Sequence, residues 1–308
     1  MPHAKLSGRD LLAALGVVLI WGTNFVAMKI GLRELTPFQM GAGRYLFALL
    51  PLVLFIRPPK LAWHWVLIYG LCQGVGQFGL LFLSLRAGMS AALASVLLQT
   101  QVFFTALLGV ALLREHVSRA FQAGMLLAAI GLACFGVNYV TSGAGDVSIP
   151  GLLMCLGGAA MWAASNIVVR LARQASPDFD VLGFMVWSSL VPIVPFCLLS
   201  LLFDPAASRA HLAGLHWHTW AALANLGWLS TILGYALWTG LLKRHPANRI
   251  APFSLGVPVV GISAGMLLLG DHIAPWQWAG IGFIVFSLAV VVFGASLFNK
   301  PPNHAETL

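Results

Sequence analysis

The chain is 308 residues long, 59% hydrophobic and only 8% charged, with a mean hydropathy of +0.89. A soluble domain carries roughly 25% charged residues, so this composition excludes a soluble globule and predicts an all-α integral membrane protein. The net charge of +8 does not imply nucleic acid, because the basic residues sort by membrane side instead of gathering in one patch.

A helix needs about 20 apolar residues to cross about 30 Å of hydrocarbon. Ten segments are expected to do so: 10–31, 38–56, 62–85, 89–113, 119–140, 149–170, 181–203, 217–241, 249–269 and 276–298. The first run is long enough to span and is followed by no small-residue cleavage pattern, so it reads as a retained span and not a signal peptide. Most connections are short and many carry turn residues, such as Pro58-Pro59, Ser142-Gly143 and His245-Pro246, which predicts antiparallel neighbours. The one long connection runs from Asp204 to His216. Lys and Arg counted over alternate loops give an orientation. Lys5, Arg9, Arg57, Lys60, Arg114, Arg119, Arg170, Arg173, Lys243, Arg244, Arg249 and Lys300 fall on one side, and only Arg33, Arg86 and Arg209 on the other. Both termini are therefore expected in the cytoplasm.

The chain also repeats itself. Gly16, Trp21 and Asn24 of the first span are echoed 141 residues later by Gly157, Trp162 and, one residue out of register, Asn166. LLREHVSRAFQAGMLLAAIGL (112–132) aligns with LLGDHIAPWQWAGIGFIVFSL (268–288) at an offset of 156, so that Glu115-His116 falls on Asp271-His272. Five spans is an odd number, so the second unit would enter from the opposite face. The expected architecture is two inverted five-helix repeats, residues 1–145 and 146–308, as in many secondary transporters.

Ten spans in two units, Trp-Asn spans opening both and acidic-then-glycine motifs closing both, resemble the EamA-type transporters of the drug/metabolite transporter superfamily. Two segments, GMSAALASVLLQTQVFFTALLG (88–109) and WSSLVPIVPF (187–196), look closer to the EamA-type exporters of O-acetylserine and cysteine. RIAPFSLGVPVVGISAGMLLLGD (249–271) supports that likeness. The resemblance implies export of amino acids and related metabolites across a bacterial inner membrane.

Polar and aromatic residues at helical spacing supply the candidate binding groups. Trp21 and Asn24 share a helix face. Gln73 and Gln77 are four apart on the third span, whereas Gln99 and Gln101 are about 200° apart at 3.6 residues per turn, so both cannot face one cavity squarely. Which of them does so is open in the sequence. On the eighth span Trp228, Thr231, Tyr235 and Trp238 form one stripe. The ordinary explanation for such groups is interhelical hydrogen bonding, but four helices offering amides or aromatics at mid-depth suit a shared cavity better. Amides also suit a zwitterion, donating to its carboxylate and accepting from its ammonium. The candidate substrate-binding set is Trp21, Asn24, Arg44, Gln73, Gln77, Gln101, Trp162, Asn166, Tyr235 and Trp238. Trp63, Trp65, Trp217, Trp220, Trp276 and Trp278 sit at span ends, as an interfacial belt would. Trp187 and Trp228 lie deeper, between core packing and cavity lining.

All nine acidic residues lie in loops, tails or span edges, which disfavours efflux of lipophilic cations, a task that calls for a buried carboxylate. The charges within spans are basic. Lys29 is near enough to its span end to snorkel. Arg44 is nearly two turns in, and is expected either to attract a substrate carboxylate or to cap helix ends. Pro192, Pro195, Pro252 and Pro258 interrupt two spans where hinges could form. The four cysteines show no CxxC or Cys/His ligand spacing, and no HExxH, P-loop or GxSxG pattern occurs. No cofactor, metal or catalytic role is expected. The expected partners are a small-molecule substrate and the lipid bilayer, with a homodimer left open. The alternatives are a carrier of another solute (a sugar, nucleotide sugar or purine) and a membrane assembly or lipid-binding protein that transports nothing.

Overall fold

The computed structural model describes residues 7–115, 118–142, 148–245 and 247–298, and every regular element among them is helical. Nine of these helices are long and apolar enough to cross a membrane. With one shorter helix included, the order is α1 (Gly8–Gly31), α2 (Pro37–Leu49), α3 (Trp63–Arg86), α4 (Ala91–Leu113), α5 (Arg119–Ser142), α6 (Ile149–Ala175), α7 (Val181–Phe203), α8 (Trp217–Leu242), α9 (Pro252–Leu269) and α10 (Pro275–Phe298).

The full span expected over 38–56 is instead a helix of 13 residues followed by a single 3₁₀ turn at Leu52–Leu54. Thirteen residues cover about 20 Å, short of the hydrocarbon thickness. The cause is local. Leu50 is extended (φ −96°, ψ 140°) as the residue before a proline prefers, and Pro51 has no N–H for the next helical bond.

The helix starts follow from side chains that satisfy the first free N–H groups. Ser7, Thr36, Ser90, Ser148 and Asp180 each accept a backbone N–H at the start of α1, α2, α4, α6 and α7. The capping box at α2 is complete, with Gln39 reaching back to the Thr36 N–H at 3.1 Å.

Irregularities recur in matched places. Wider i→i+5 turns occupy Gly70–Phe78 of α3 and Asn225–Leu233 of α8, their starts 155 residues apart. Tighter 3₁₀ turns occupy Leu98–Thr100 of α4 and Ala251–Leu255 at the start of α9. Left-handed residues end α4 and α9 at Arg114 (φ 55°) and Gly270 (φ 71°), and the N–H groups of Glu115 and Asp271 then bond back to Gly109 and Gly265.

Packing is paired in the same way: α1 lies on α8 and α9, α6 on α3 and α4, α2 on α7, and α5 on α10. The α5–α10 contact depends on two facing glycines. A Cβ on Gly131 would stand 2.9 Å from the Gly280 carbonyl, and one on Gly280 would stand 2.8 Å from the Gly131 carbonyl. Small residues at such crossings let helix backbones approach where lipid offers no hydrophobic drive. Between these pairs lies a core that includes Phe25, Met28, Leu81, Phe82, Leu97, Phe196 and Leu226, while Leu12, Phe55, Leu126, Leu202 and Leu267 point outward. Such an apolar exterior is what lipid covers.

Contacts join the helix ends in two groups. In one, Asp10 pairs with Arg244 and His245 at 2.9 Å each, and Glu115 with Arg170 at 2.9 Å. In the other, Glu34 pairs with His216 and Thr219, and Thr36 with Asp204. Also there, Lys29 donates to the Leu85 carbonyl at 3.0 Å while Arg86 donates to that of Leu32 at 3.3 Å. The expected snorkelling lysine thus caps the end of a neighbouring helix, and its partner returns the favour. The Trp63, Trp217, Trp220, Trp276 and Trp278 side chains at span ends are exposed, as a belt requires.

Candidate functional site

Eight of the ten helices line a partly open cavity of about 280 Å³, just below the roughly 300–1,000 Å³ typical of small-molecule sites. α1 contributes Trp21, Asn24, Phe25 and Met28; α2 contributes Arg44; α3 contributes Gln77 and Phe78; α4 contributes Leu98, Gln99, Gln101 and Val102. From the other half of the chain come Trp162 and Asn166 on α6, Ser230, Tyr235 and Trp238 on α8, Ser254, Leu255 and Val257 on α9, and Leu288 and Val292 on α10.

One wall is aromatic. Trp21 lies with its ring centre 5.2 Å from that of Tyr235 and 5.6 Å from that of Trp238, and its indole N–H donates to the Ser230 carbonyl at 3.1 Å. That carbonyl sits in the widened turn of α8, where the i−4 bonding pattern is relaxed and backbone oxygens are free to accept from elsewhere.

A second part of the lining is a chain of polar side chains. Asn166 donates to Gln101 Oε1 at 3.0 Å and to Thr105 Oγ1 at 3.3 Å, and Thr105 in turn donates to Gln101 at 3.2 Å. Gln99 also reaches the cavity, and its amide donates to the Ser254 carbonyl at 3.3 Å. Both glutamines line one space because the 3₁₀ turn at Leu98–Thr100 advances about 120° per residue. Two residues along it are separated by about 120° around the axis, against about 160° in an α-helix.

Arg44 is the least expected group at such depth. Its side chain is 2% exposed, with Cζ 3.7 Å from the centre of the Phe78 ring and Nη2 donating to Thr231 Oγ1 at 3.0 Å. Thr231 itself donates to the carbonyl five residues back, Leu226, at 2.9 Å. Arg44 Nε and Nη1 have no partner among the described residues, and neither do the side-chain oxygens of Asn24, Gln77 and Ser230. Buried polar atoms left in this state are costly, and here donors and acceptors of opposite demand border one space.

Nine of the ten candidate residues read from the sequence (Trp21, Asn24, Arg44, Gln77, Gln101, Trp162, Asn166, Tyr235 and Trp238) line this cavity, and Gln73 does not. Gln73 lies behind Tyr235, to whose hydroxyl it donates at 3.3 Å, and accepts from Ser165. It borders a small adjoining void with Arg44 and Tyr45. The widened turn of α3 separates it from Gln77, since residues four apart no longer stack where bonds run i→i+5. Trp228 departs from its expected stripe for the same reason, facing outward with its N–H on the Leu50 carbonyl at 2.9 Å. Trp187 donates to the Ile56 carbonyl, away from the cavity. Phe78 and Ser230 went unnoticed in the sequence; a phenylalanine in an apolar span carries no signal of the cation it will face.

Residues 9–137 and 149–293 match the EamA-like transporter family. A protein of Salmonella typhimurium strain LT2 described as a probable amino-acid metabolite efflux pump is 38% identical over 94% of this chain and 96% of its own length. A protein of the same description from Escherichia coli K12 is 36% identical over the same shares. One crystal structure superposes with a TM-score of 0.61 at 18% identity, covering 95% of this chain and 99% of the other; at that identity it speaks for the fold alone.

Proposed function

The chain belongs to the EamA-like transporter family, and from that premise we propose that it exports amino acids and close derivatives, such as cysteine or O-acetylserine. Its frame in this reading is ten membrane-embedded helices in two inverted repeats, 1–145 and 146–308, with α2 and its 3₁₀ turn as the short tenth. The paired irregularities of α3 with α8 and of α4 with α9 support that frame. The two groups of helix-end contacts and the charge count together support cytoplasmic termini in an inner membrane.

The observation that carries the substrate reading is the mixed demand of the cavity. Among the described residues Arg44 offers unpaired donors, while Asn24 Oδ1, Gln77 Oε1 and Ser230 Oγ are unpaired and able to accept. A solute with a carboxylate at one end and an ammonium at the other answers both. Trp21, Trp162, Tyr235 and Trp238 would then wall its side chain, and Gln101 and Asn166 would hold the far amide face. Gln73 acts in this reading by fixing the Tyr235 hydroxyl. A cavity lined by both halves of the chain would deliver its solute by opening to each side in turn, as inverted-repeat carriers do.

The test is counterflow in proteoliposomes. Vesicles are loaded with unlabelled cysteine, O-acetylserine, an aromatic amino acid, a sugar or a purine, and uptake of the same labelled solute is followed. Acceleration by a preloaded amino acid supports the reading. Acceleration only by a sugar or purine would keep the carrier and replace its substrate, and silence from folded protein toward every solute would discard the carrier.

A further inference from the structure

We propose that Arg44 makes this carrier an exchanger: it changes sides readily with a carboxylate-bearing solute on board and only poorly when empty. This rests on the carrier reading above. The guanidinium is buried against Phe78 with one hydrogen bond to Thr231, and its Nε and Nη1 are unpartnered among the described residues. It cannot lose its proton. The described carboxylates that form pairs do so at helix ends: Asp10 with Arg244, Glu34 with His216 and Glu115 with Arg170, while Asp271 accepts the Ala92 N–H at the start of α4. No ion pair to Arg44 exists among the described residues.

The consequence lies in the closed intermediate between the two open states. While the cavity is open, water entering it can solvate the guanidinium. Closing both sides removes that water, and a desolvated, unpaired ion is strongly unfavourable, whereas a bidentate carboxylate partner offsets the cost. The loaded carrier therefore passes through the closed state more easily than the empty one. Asn24 and Gln77 add to the difference, since their free oxygens are answered only when an ammonium arrives with the carboxylate. Export would then be driven by a counter-solute entering in exchange, which fits a transport path with no described acidic residue on its wall.

The experiment uses the purified full chain in liposomes loaded with labelled cysteine, O-acetylserine or phenylalanine. Efflux is timed into buffer alone, into the same unlabelled amino acid, and into its methyl ester, which lacks the carboxylate. The expected result is efflux at least about tenfold faster into the amino acid than into buffer, a barrier difference of about 1.4 kcal/mol, and no acceleration by the ester. Efflux into buffer within twofold of exchange, or equal acceleration by the ester, overturns the proposal and leaves the carrier reading standing. If no solute of the panel leaves faster than from protein-free liposomes, the amino-acid reading and this proposal fall together, and a carrier of another solute is left standing. In Arg44→Gln the ratio of exchange to net efflux should drop toward one; a preserved ratio in that variant also overturns the proposal. Should the variant not fold, the wild-type ratio decides alone.

Discussion

Asn24 and Asn166 are echoes in the sequence but are treated differently by the structure, and replacing each in turn by leucine separates binding from packing. Asn166 makes two interhelical hydrogen bonds, at 3.0 and 3.3 Å. Such bonds are worth about 0.6 kcal/mol each in a membrane protein. Gln101 keeps its Thr105 donor when Asn166 is gone, so no acceptor is stranded and the loss should stay near about 1 kcal/mol. Asn24 has a buried side-chain oxygen with no partner among the described residues. Removing an unpaired buried acceptor relieves about 1–3 kcal/mol, against roughly 1 kcal/mol or more for fitting the bulkier leucine. Asn24→Leu should therefore be as stable as the wild type or more so, and Asn166→Leu measurably less. Counterflow per folded molecule should fall more than about tenfold in Asn24→Leu, the loss of one contact of about 1.4 kcal/mol. Melting in detergent followed by gel filtration reads the first quantity, and proteoliposomes read the second. An Asn24→Leu protein that melts well below Asn166→Leu, with flux per folded molecule unchanged, would show Asn24 to be structural and refute the reasoning.

The glycine crossing offers a matched pair: Gly280→Ala places its Cβ 2.8 Å from the Gly131 carbonyl, whereas nothing lies within 4 Å of a Cβ on Gly282. The first should lower the melting temperature markedly, and Gly282→Ala should leave it unchanged or raise it by the helix-propensity gain of about 1 kcal/mol. Trp21→Phe keeps an aromatic wall but drops the N–H bond to the Ser230 carbonyl, so it should cost about 0.5–1.5 kcal/mol of stability and slow counterflow. Glu34 is held at about 2, below its ordinary 4.5, first by the hydrogen bond from Thr219 and then by that from His216. A lowered carboxylate stabilises the fold above its unfolded value and loses that contribution as pH falls through the folded one. The stability gap between wild type and Glu34→Gln should accordingly be full at neutral pH and close between about pH 4.5 and 2; a gap that does not narrow in thermal melts over that window would refute the assignment.

Where the backbone is a regular α-helix, the sequence was a good guide to which side chains reach the cavity. Trp21 and Asn24 on α1, and Trp162 and Asn166 on α6, face the cavity as their spacing implies. Where the turn changes, spacing misleads. Gln73 and Trp228 both lie in widened segments and left the faces that 3.6 residues per turn assigns them. Gln99 joined Gln101 because of a tightened one. Nothing in the side chains of Gly70–Phe78 announces i→i+5 bonding, which depends on neighbouring helices accepting the displaced groups. The shortness of α2 was more legible, since Leu50-Pro51 is a stop signal that an apolar count over 38–56 passes over. Arg44 was visible as a charge in a span, but its lack of an ion-pair partner among the described residues is a property of the packed assembly.

The packing also bears on which parts could move. If residues 1–145 and 146–308 were two repeats, one would be expected to swing against the other, yet the contacts oppose that division. α1 is tied to α8 at both ends, by Asp10 with Arg244 and His245 at one and by Glu34 with His216 and Thr219 at the other. α6 is tied to α3 and α4 in the same fashion: Ser84 donates to the Gly151 carbonyl at 2.7 Å, Ser165 to Gln73, and Asn166 to Gln101. The first helix of each half is thus bound to the other half. Separating the halves along the sequence boundary would break these polar contacts together at depths where water cannot replace all of them. Alternating exposure of the cavity is cheaper if α1 travels with α8 and α9, and α6 with α3 and α4. The moving bodies would then be exchanged sets of helices, each drawn from both halves of the chain, hinged where the widened and tightened turns already relax the helical bonding.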